Sequence, residues 1–438
     1  MNRLLWSADQ PIPTGPSALP PRQRIAGAPA RVLFFNGSEL GFATGATAFE
    51  TLCAERQDID AVHVRVPIRG WHRLLGASAP EYIRPWDCGL TRMARATSVV
   101  LMRLFNSVLP LDRFDVVHFT TQQRGWPITK LAGRVPTKFA VNIDATIPGW
   151  CNAFGMKPSP LGIEERTERR ILGRADLVAC WSRWVSDEAV LRCDAAPGKV
   201  TLNKACALFD EGAPFRTHDE SPVRGTAGAE RLRIVFVGND WERKGGHRLV
   251  QWHQERWKDI AEVHVCSRTA PRDDSLKNVV WHGPTPRQKL LNEVLPSADL
   301  LVMPTRVDTF MIAAQEAQAA GLPVVSSLLA GLPEVVRHRR TGFLCPPDDD
   351  AGFVGAIERL LRDHELRRHM GREARSFAQQ NLTAQVWHNH LFDQLVALAD
   401  GRTIRFAPSG VDIRRSDDEA TNPTSAEESA ARAANYPA

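Results

Sequence analysis

ADLLVMPTRVDTFMIAAQEAQAAGLPVVSS runs from Ala298 to Ser327. It opens with a short apolar run that Pro304 and Thr305 stop, the pattern of a strand buried on both faces. TFMIAAQEAQAAG then reads as a helix, which Asp308 and Thr309 can cap and which Gly321 and Pro323 end. PVVSS is the next strand. A strand, a helix and a second strand this close in sequence form a right-handed parallel crossover, the unit of doubly wound α/β domains.

The pattern continues on both sides. RIVFVGN (233–239), EVHVCSR (262–268), NVVWHG (278–283) and GFLCP (342–346) complete one series of strands. RVLFFNG (31–37), DAVHVRVP (60–67), DVVHFTT (115–121), KFAVNID (138–144) and a run ending at Ser182 make another, with helical segments between them. The fold class read from this alternation is α/β, two Rossmann-like doubly wound domains facing a central cleft. Residues 1–28 read as a loose N-terminal tail, 29–209 as the first domain, and the polar, Gly/Pro-rich stretch 210–230 as a linker. Residues 231–383 form the second domain. Residues 384–400 are expected as a helix packing back on the first domain, and 401–438 as a disordered tail.

Composition narrows the function. The chain has 438 residues, 43% hydrophobic and 24% charged, ordinary for a soluble globular protein of two or three domains. A formal net charge of +5 suits anionic ligands or a membrane surface but lacks the basic bias of a nucleic-acid-binding domain, so no nucleic-acid partner is expected. The eight cysteines are scattered with no CxxC pair, which points to reduced thiols and to no zinc site. The first residues, MNRLLWSADQPIPTGPSALPPRQ, lack the apolar core of a signal peptide. No window reaches the roughly 18–20 apolar residues needed to span a bilayer. The expected location is therefore cytoplasmic.

The chemistry concentrates in the second half. FVGNDWERKGG (236–246) ends a strand in a glycine-flanked loop that carries Arg243 and Lys244 side by side. Arginine offers a planar fork and lysine a mobile point charge. The start of the helix after Asp308 offers free backbone N–H groups and the positive end of a dipole. Two cations facing a helix start can hold two phosphates, so a nucleoside diphosphate is the expected ligand.

The ordered series VGxDxxRKG, PTxxDxFxxxxxEAxAxGLPVV, GLPEVV and TGFLxPPxD resembles the retaining glycosyltransferases of family 4, which have the GT-B fold. The resemblance covers roughly residues 231–350; the first half matches only in outline, as the acceptor side of that family usually does. It implies a retaining, metal-independent glycosyltransferase, a hexosyltransferase by preference, with no cofactor and a nucleoside diphosphate sugar as donor. The acceptor would be a glycan, a lipid-linked molecule or a small molecule, held by the first domain. The resemblance assigns Arg243 and Lys244 to the donor diphosphate and Glu316 to the nucleotide ribose. Asp308 would touch the donor sugar, and Gly238, Thr309, Phe310 and Met311 fall where the family meets phosphate and sugar. Two departures, Asp308 for glutamate and Met311 for glycine, predict an altered sugar pocket. Asp58-Ile59-Asp60, the only isolated DxD, lies far from this series.

In the first half the glycine-rich loop NGSELGFATGAT (36–47), with Gly41 and Gly45, corresponds to a loop near the acceptor and diphosphate, or is a bare turn. His118 matches a common family position and equally reads as a satisfied strand-end histidine. Where many members carry a histidine near the reacting centre, this chain has Asn142 and Asp144; Asp144 is the candidate for contacting acceptor or donor sugar. Glu334 reads as a brace within its own helix or as a ligand contact. Residues 90–109 carry Arg92, Arg95 and Arg103 on an apolar helix, which reads as a core helix or as a peripheral contact with the inner face of a membrane. Two other functions fit the same motifs: a non-catalytic nucleotide-sugar-binding regulator or scaffold, and an epimerase or synthase without a glycan or lipid acceptor.

Overall fold

The computed structural model describes residues 3–6, 27–37, 49–66, 110–155, 162–206 and 231–413. Gly41, Gly45, the 90–109 segment and the 210–230 linker lie outside the described residues. Two all-parallel sheets hold thirteen strands among those described. The first contains β1 (Arg3–Trp6), β2 (Ala30–Gly37), β3 (Ile59–Val66), β4 (Val116–Phe119), β5 (Lys138–Ile143), β6 (Leu177–Cys180) and β7 (Val200–Leu202), in the order β1-β3-β2-β4-β5-β6-β7. The second contains β8 (Leu232–Val237), β9 (Ala261–Cys266), β10 (Val279–Trp281), β11 (Leu300–Met303), β12 (Val324–Ser327) and β13 (Gly342–Cys345), in the order β10-β9-β8-β11-β12-β13. The doubly wound α/β expectation therefore holds in both halves.

Strand order decides where ligands go. The second half starts at β8, moves outward through β9 and β10, then jumps back to β11 on the other side of β8. The first half does the same from β2, with β3 on one side and β4 on the other. The connections that leave β8 and β11 diverge at this reversal and open a crevice beyond the carboxyl ends of the strands. The loops 238–246 and 304–311 flank that crevice.

Each sheet has its own apolar core. The helix Ala384–Ala399 leaves the second half and completes the first core, where Trp387, Leu391, Phe392 and Leu395 are fully buried. The Phe392 ring stands edge-on to Phe49 at 4.9 Å and to Phe34 at 6.3 Å. Each such side chain contributes about 1.5–3 kcal/mol by burial, so this helix is a structural member of the first half.

The chain departs from expectation at both ends. Arg3–Trp6, assigned by composition to a loose tail, pairs in parallel with β3 as an edge strand. Residues 401–413, assigned to a disordered tail, run across the first half instead: Leu202 N–H donates to the Phe406 carbonyl at 2.6 Å, and Ile404, Val411 and Ile413 pack on the first core. Backbone hydrogen bonds and a few scattered apolar residues suffice to fasten a segment with no periodicity of its own.

His118 also departs from the acceptor-side expectation. On β4 it is completely buried, bonded through Nε2 to Asn142 Oδ1 at 2.9 Å and stacked on Phe49. It faces the core, not the cleft. Burial lowers its pKa to about 4 against the support of the Asn142 bond, and burial likewise lowers His388 to about 4. Both histidines charge near pH 6.5 in the unfolded chain but resist protonation when folded. Between pH 6.5 and 4 the unfolded state binds more protons, so stability is complete above that window and is lost as pH falls through it. His388→Leu is expected to flatten the acid limb of an unfolding-free-energy profile against pH, by roughly 1 kcal/mol per pH unit. An unchanged slope below pH 6.5 would show that His388 does not carry the acid sensitivity.

Candidate active site

The loop after β8 is built to press against the loop after β11. Gly245 has φ +77°, and a Cβ placed there would lie 2.2 Å from the Pro304 carbonyl oxygen, so only glycine fits. At Gly246 a Cβ would enter the Trp241 ring at 2.2 Å. The glycine pair therefore seats Arg243 and Lys244 directly beside 304–308. Three bonds fasten the seam: Arg306 N–H and the Thr305 hydroxyl reach the Arg243 carbonyl, each at 3.2 Å, and Arg243 Nη1 donates to the Val307 carbonyl at 2.6 Å. Behind them Arg248, 4% exposed, donates to the Pro304 carbonyl at 2.9 Å. Gly238 contributes space: the stem of Lys244 passes within 3.1 Å of where its Cβ would stand.

The two cations are paired differently. Arg243 Nε bonds Asp240 Oδ2 at 2.9 Å, and both side chains are well exposed. Lys244 Nζ pairs with Asp308 in a sheltered setting, 15% and 9% exposed. Asp308 therefore does not cap the next helix. The helix Ile312–Ala319 starts later than the sequence predicts, with Met311 at its N-cap, whose side chain makes no capping hydrogen bond. Its open end is available to an anion.

Glu316 lies on this helix, 5% exposed, and its Oε1 accepts from Arg287 Nε at 2.9 Å and Nη2 at 2.8 Å. Burial raises its pKa, and Arg287 opposes the rise. Arg287 escaped the sequence reading because it sits in a short irregular stretch, PTPRQK, with no motif around it. Thr309 is nearly buried and accepts from Gly331 N–H through its carbonyl at 3.1 Å. The Phe310 and Met311 side chains belong to the second core, and the Met311 sulfur faces Ser326 Oγ at 3.9 Å. The expectation that Met311 alters the sugar pocket is thus corrected: the residue is 2% exposed and packs its thioether in the second core against Ser326 on β12.

On the facing half, Asp144 follows β5 and is partly exposed. Burial raises its pKa, while the N–H groups of Asp144 and Ala145 pull it down. Behind it Glu168 is 3% exposed and accepts from Ile147 N–H at 2.7 Å. Burial raises Glu168 to about 7 against that bond and those from Gln122 and Cys193. Glu168 thereby fixes the turn that carries Asp144. Among the described residues no three His, Cys, Asp or Glu side chains converge as a metal would require. Nor is any helix there long and apolar enough to cross a membrane.

A buried ionic contact joins the halves beside the site. Glu334 and Lys204 have fully buried side chains, with Oε2 and Nζ 3.3 Å apart. Glu334 Oε1 accepts from Trp184 N–H at 3.3 Å, at the start of the helix Arg183–Arg192. The Lys204 ammonium also sits 5.2 Å from the Trp387 ring centroid, and Gln315 Nε2 reaches the Ala205 carbonyl at 2.9 Å. Glu334 therefore braces the opposite half and not its own helix. Desolvation lowers the Lys204 pKa and Glu334 raises it.

Residues 231–363 match the family model described as Glycosyl transferases group 1. A D-inositol 3-phosphate glycosyltransferase of Paenarthrobacter aurescens (strain TC1) is 29% identical over 291 residues, covering 61% of this chain and 69% of that relative. Two solved structures share the fold. Sucrose-phosphate synthase from Thermosynechococcus elongatus is 17% identical at a TM-score of 0.61, over 84% of this chain and 99% of that one. Anabaena HepE in complex with UDP is 13% identical at a TM-score of 0.59, over 84% of this chain and 100% of that one.

Removing one member of a buried ion pair strands the other charge, which costs about 3–5 kcal/mol. Lys204→Met is expected to destabilise the protein on that scale. The double variant Lys204→Met with Glu334→Gln should regain part of the loss in a urea-denaturation cycle. A fully additive double variant would mean that the two charges do not interact.

Proposed function

We propose that this GT-B glycosyltransferase, with its group 1 domain at residues 231–363, transfers a hexosyl group from a nucleoside diphosphate sugar with retention of anomeric configuration and without a metal ion. The observation that carries the reading is the seam between the two loops. It holds Arg243 and Lys244 against residues 304–308, the loop that leads into the Ile312–Ala319 helix, at the topological reversal of the second sheet. Departure of the nucleoside diphosphate leaves growing negative charge on its phosphates. Cations and helix N–H groups fixed there in advance stabilise that charge more in the transition state than in the bound substrate.

Each residue then has a task. Arg243 and Lys244 hold the diphosphate together with the backbone of Thr309, Phe310 and Met311, while Gly238 leaves room for the lysine stem. Glu316 accepts from the ribose hydroxyls, oriented by Arg287. The free oxygen of Asp308 faces the donor sugar while the other holds Lys244. The first half, 29–209, takes the acceptor, with Asp144 near the incoming hydroxyl, and the second half, 231–383, takes the donor. The acceptor is a glycan, a lipid-linked molecule or a small molecule. The name of the inositol-phosphate-glycosylating relative favours a small polyol phosphate, and the HepE complex makes UDP the first nucleotide to test.

Arg243→Ala and Lys244→Ala are each expected to lower turnover by about 10²–10³, the scale for losing one fixed charge stabiliser. Turnover within threefold of the parent in both variants would contradict the diphosphate role. Proton NMR of the first-formed product is expected to show the donor's anomeric coupling, and EDTA is expected to leave the rate unchanged. Inverted product or magnesium-restored activity would each overturn its part of the reading.

Glu316→Ala is expected to weaken nucleoside diphosphate binding by about 1–3 kcal/mol, the cost of a lost charged hydrogen bond. Calorimetry with the nucleotide alone reads it, and equal affinity in the variant would remove the ribose assignment.

A further inference from the structure

The cations around the crevice are already answered by carboxylates. Arg243 faces Asp240, Lys244 faces Asp308, and Arg287 faces Glu316. These six side chains carry no net formal charge. A site that must grip a diphosphate is thus balanced before the diphosphate arrives.

The pairs differ in what they can release. Asp308 is sheltered with Lys244, its side chain only 9% exposed, so giving up that partner is costly. Asp240 is half in solvent, and its ion pair with Arg243 is of the exposed kind that contributes at most about 1 kcal/mol. Its carboxylate can therefore give up the guanidinium cheaply. Arg243 would stay anchored meanwhile, because Nη1 remains on the Val307 carbonyl at 2.6 Å. Asp240 also shapes the turn, since its Oδ1 accepts from Arg243 N–H at 3.2 Å. Although desolvation works against its charge, the bonds from Arg243 hold its carboxyl below the usual carboxylate range.

We propose that Asp240 is a resident counter-ion, a positioning residue that holds Arg243 in its phosphate-facing pose in the empty site and competes with the diphosphate in the filled one. It thereby weakens the hold on the nucleoside diphosphate product and speeds its release. The inference rests on the reading of Arg243 and Lys244 as the diphosphate grip. An asparagine at 240 keeps the turn acceptor and removes only the charge, so the two roles separate.

The test titrates UDP, GDP and ADP into the parent enzyme, Asp240→Asn and Asp240→Ser by calorimetry at several salt concentrations. It also measures product inhibition by the nucleotide that binds. Both variants are expected to bind that nucleotide about three- to tenfold more tightly at low salt. Their affinity should fall more steeply as salt rises, because the site gains a net positive charge. Product inhibition should tighten by the same factor, and kcat should fall as release slows while kcat/KM for the donor does not fall. Unchanged or weaker binding with the parent's salt slope in both variants would make Asp240 a turn residue only and overturn the proposal. A parent enzyme that binds none of the three nucleotides would overturn the diphosphate grip itself, and this inference with it.

Discussion

The contact between Gly245 and the Pro304 carbonyl is the constraint on which the site depends. Two loops from neighbouring strands touch there with no side chain between them, and the distance leaves no room for one. Arg243 and Lys244 come immediately before that contact, and Asp308 and the start of the Ile312–Ala319 helix come shortly after Pro304. A larger gap would part the cations from the helix end and leave each as an ordinary solvated charge. Glycine costs conformational entropy in the unfolded chain, and the close approach it permits is what that cost supports.

A second constraint keeps the halves in register. The Glu334 carboxylate is buried between a helix N-terminus and the Lys204 ammonium, which itself sits against the Trp387 indole, so three separate parts of the chain meet there. Buried pairs of this kind add little net stability over an apolar contact but tolerate few alternative arrangements. Gly331, three residues earlier, donates to the Thr309 carbonyl, and a Cβ on it would stand 3.0 Å from Ser182 Cβ. The segment that carries Glu334 therefore touches both the loop 304–311 and the first half. Any shift between the halves is felt at the backbone of Thr309.

Local sequence carried much of this. Strands such as RIVFVG and KFAVNI announce themselves as apolar runs with polar ends, and the glycines and Arg243–Lys244 form a motif readable in one line. β1 and β7 were missed because they are short edge strands whose identity comes from the neighbour they pair with. Lys204 and Arg287 were missed for a related reason: each becomes meaningful only opposite a carboxylate far away in sequence. The burial of His118 and the inward turn of Met311 were equally invisible, since spacing reports which face a residue takes but not what lies across from it. Sequence offers Asp308 as a cap, with or without a sugar contact, because caps are local, whereas its partner in the structure is Lys244, in a different loop.

In the proposed reaction the phosphates of the donor lie between Arg243–Lys244 and the open end of the Ile312–Ala319 helix. A crystal structure of the protein with the nucleoside diphosphate it binds tests that claim most directly. The expected complex has phosphate oxygens within hydrogen-bond distance of the Arg243 and Lys244 side chains and of at least one backbone N–H from Met311 to Ala313, with Glu316 on the ribose. A nucleotide bound in the crevice with its phosphates away from both cations would contradict it.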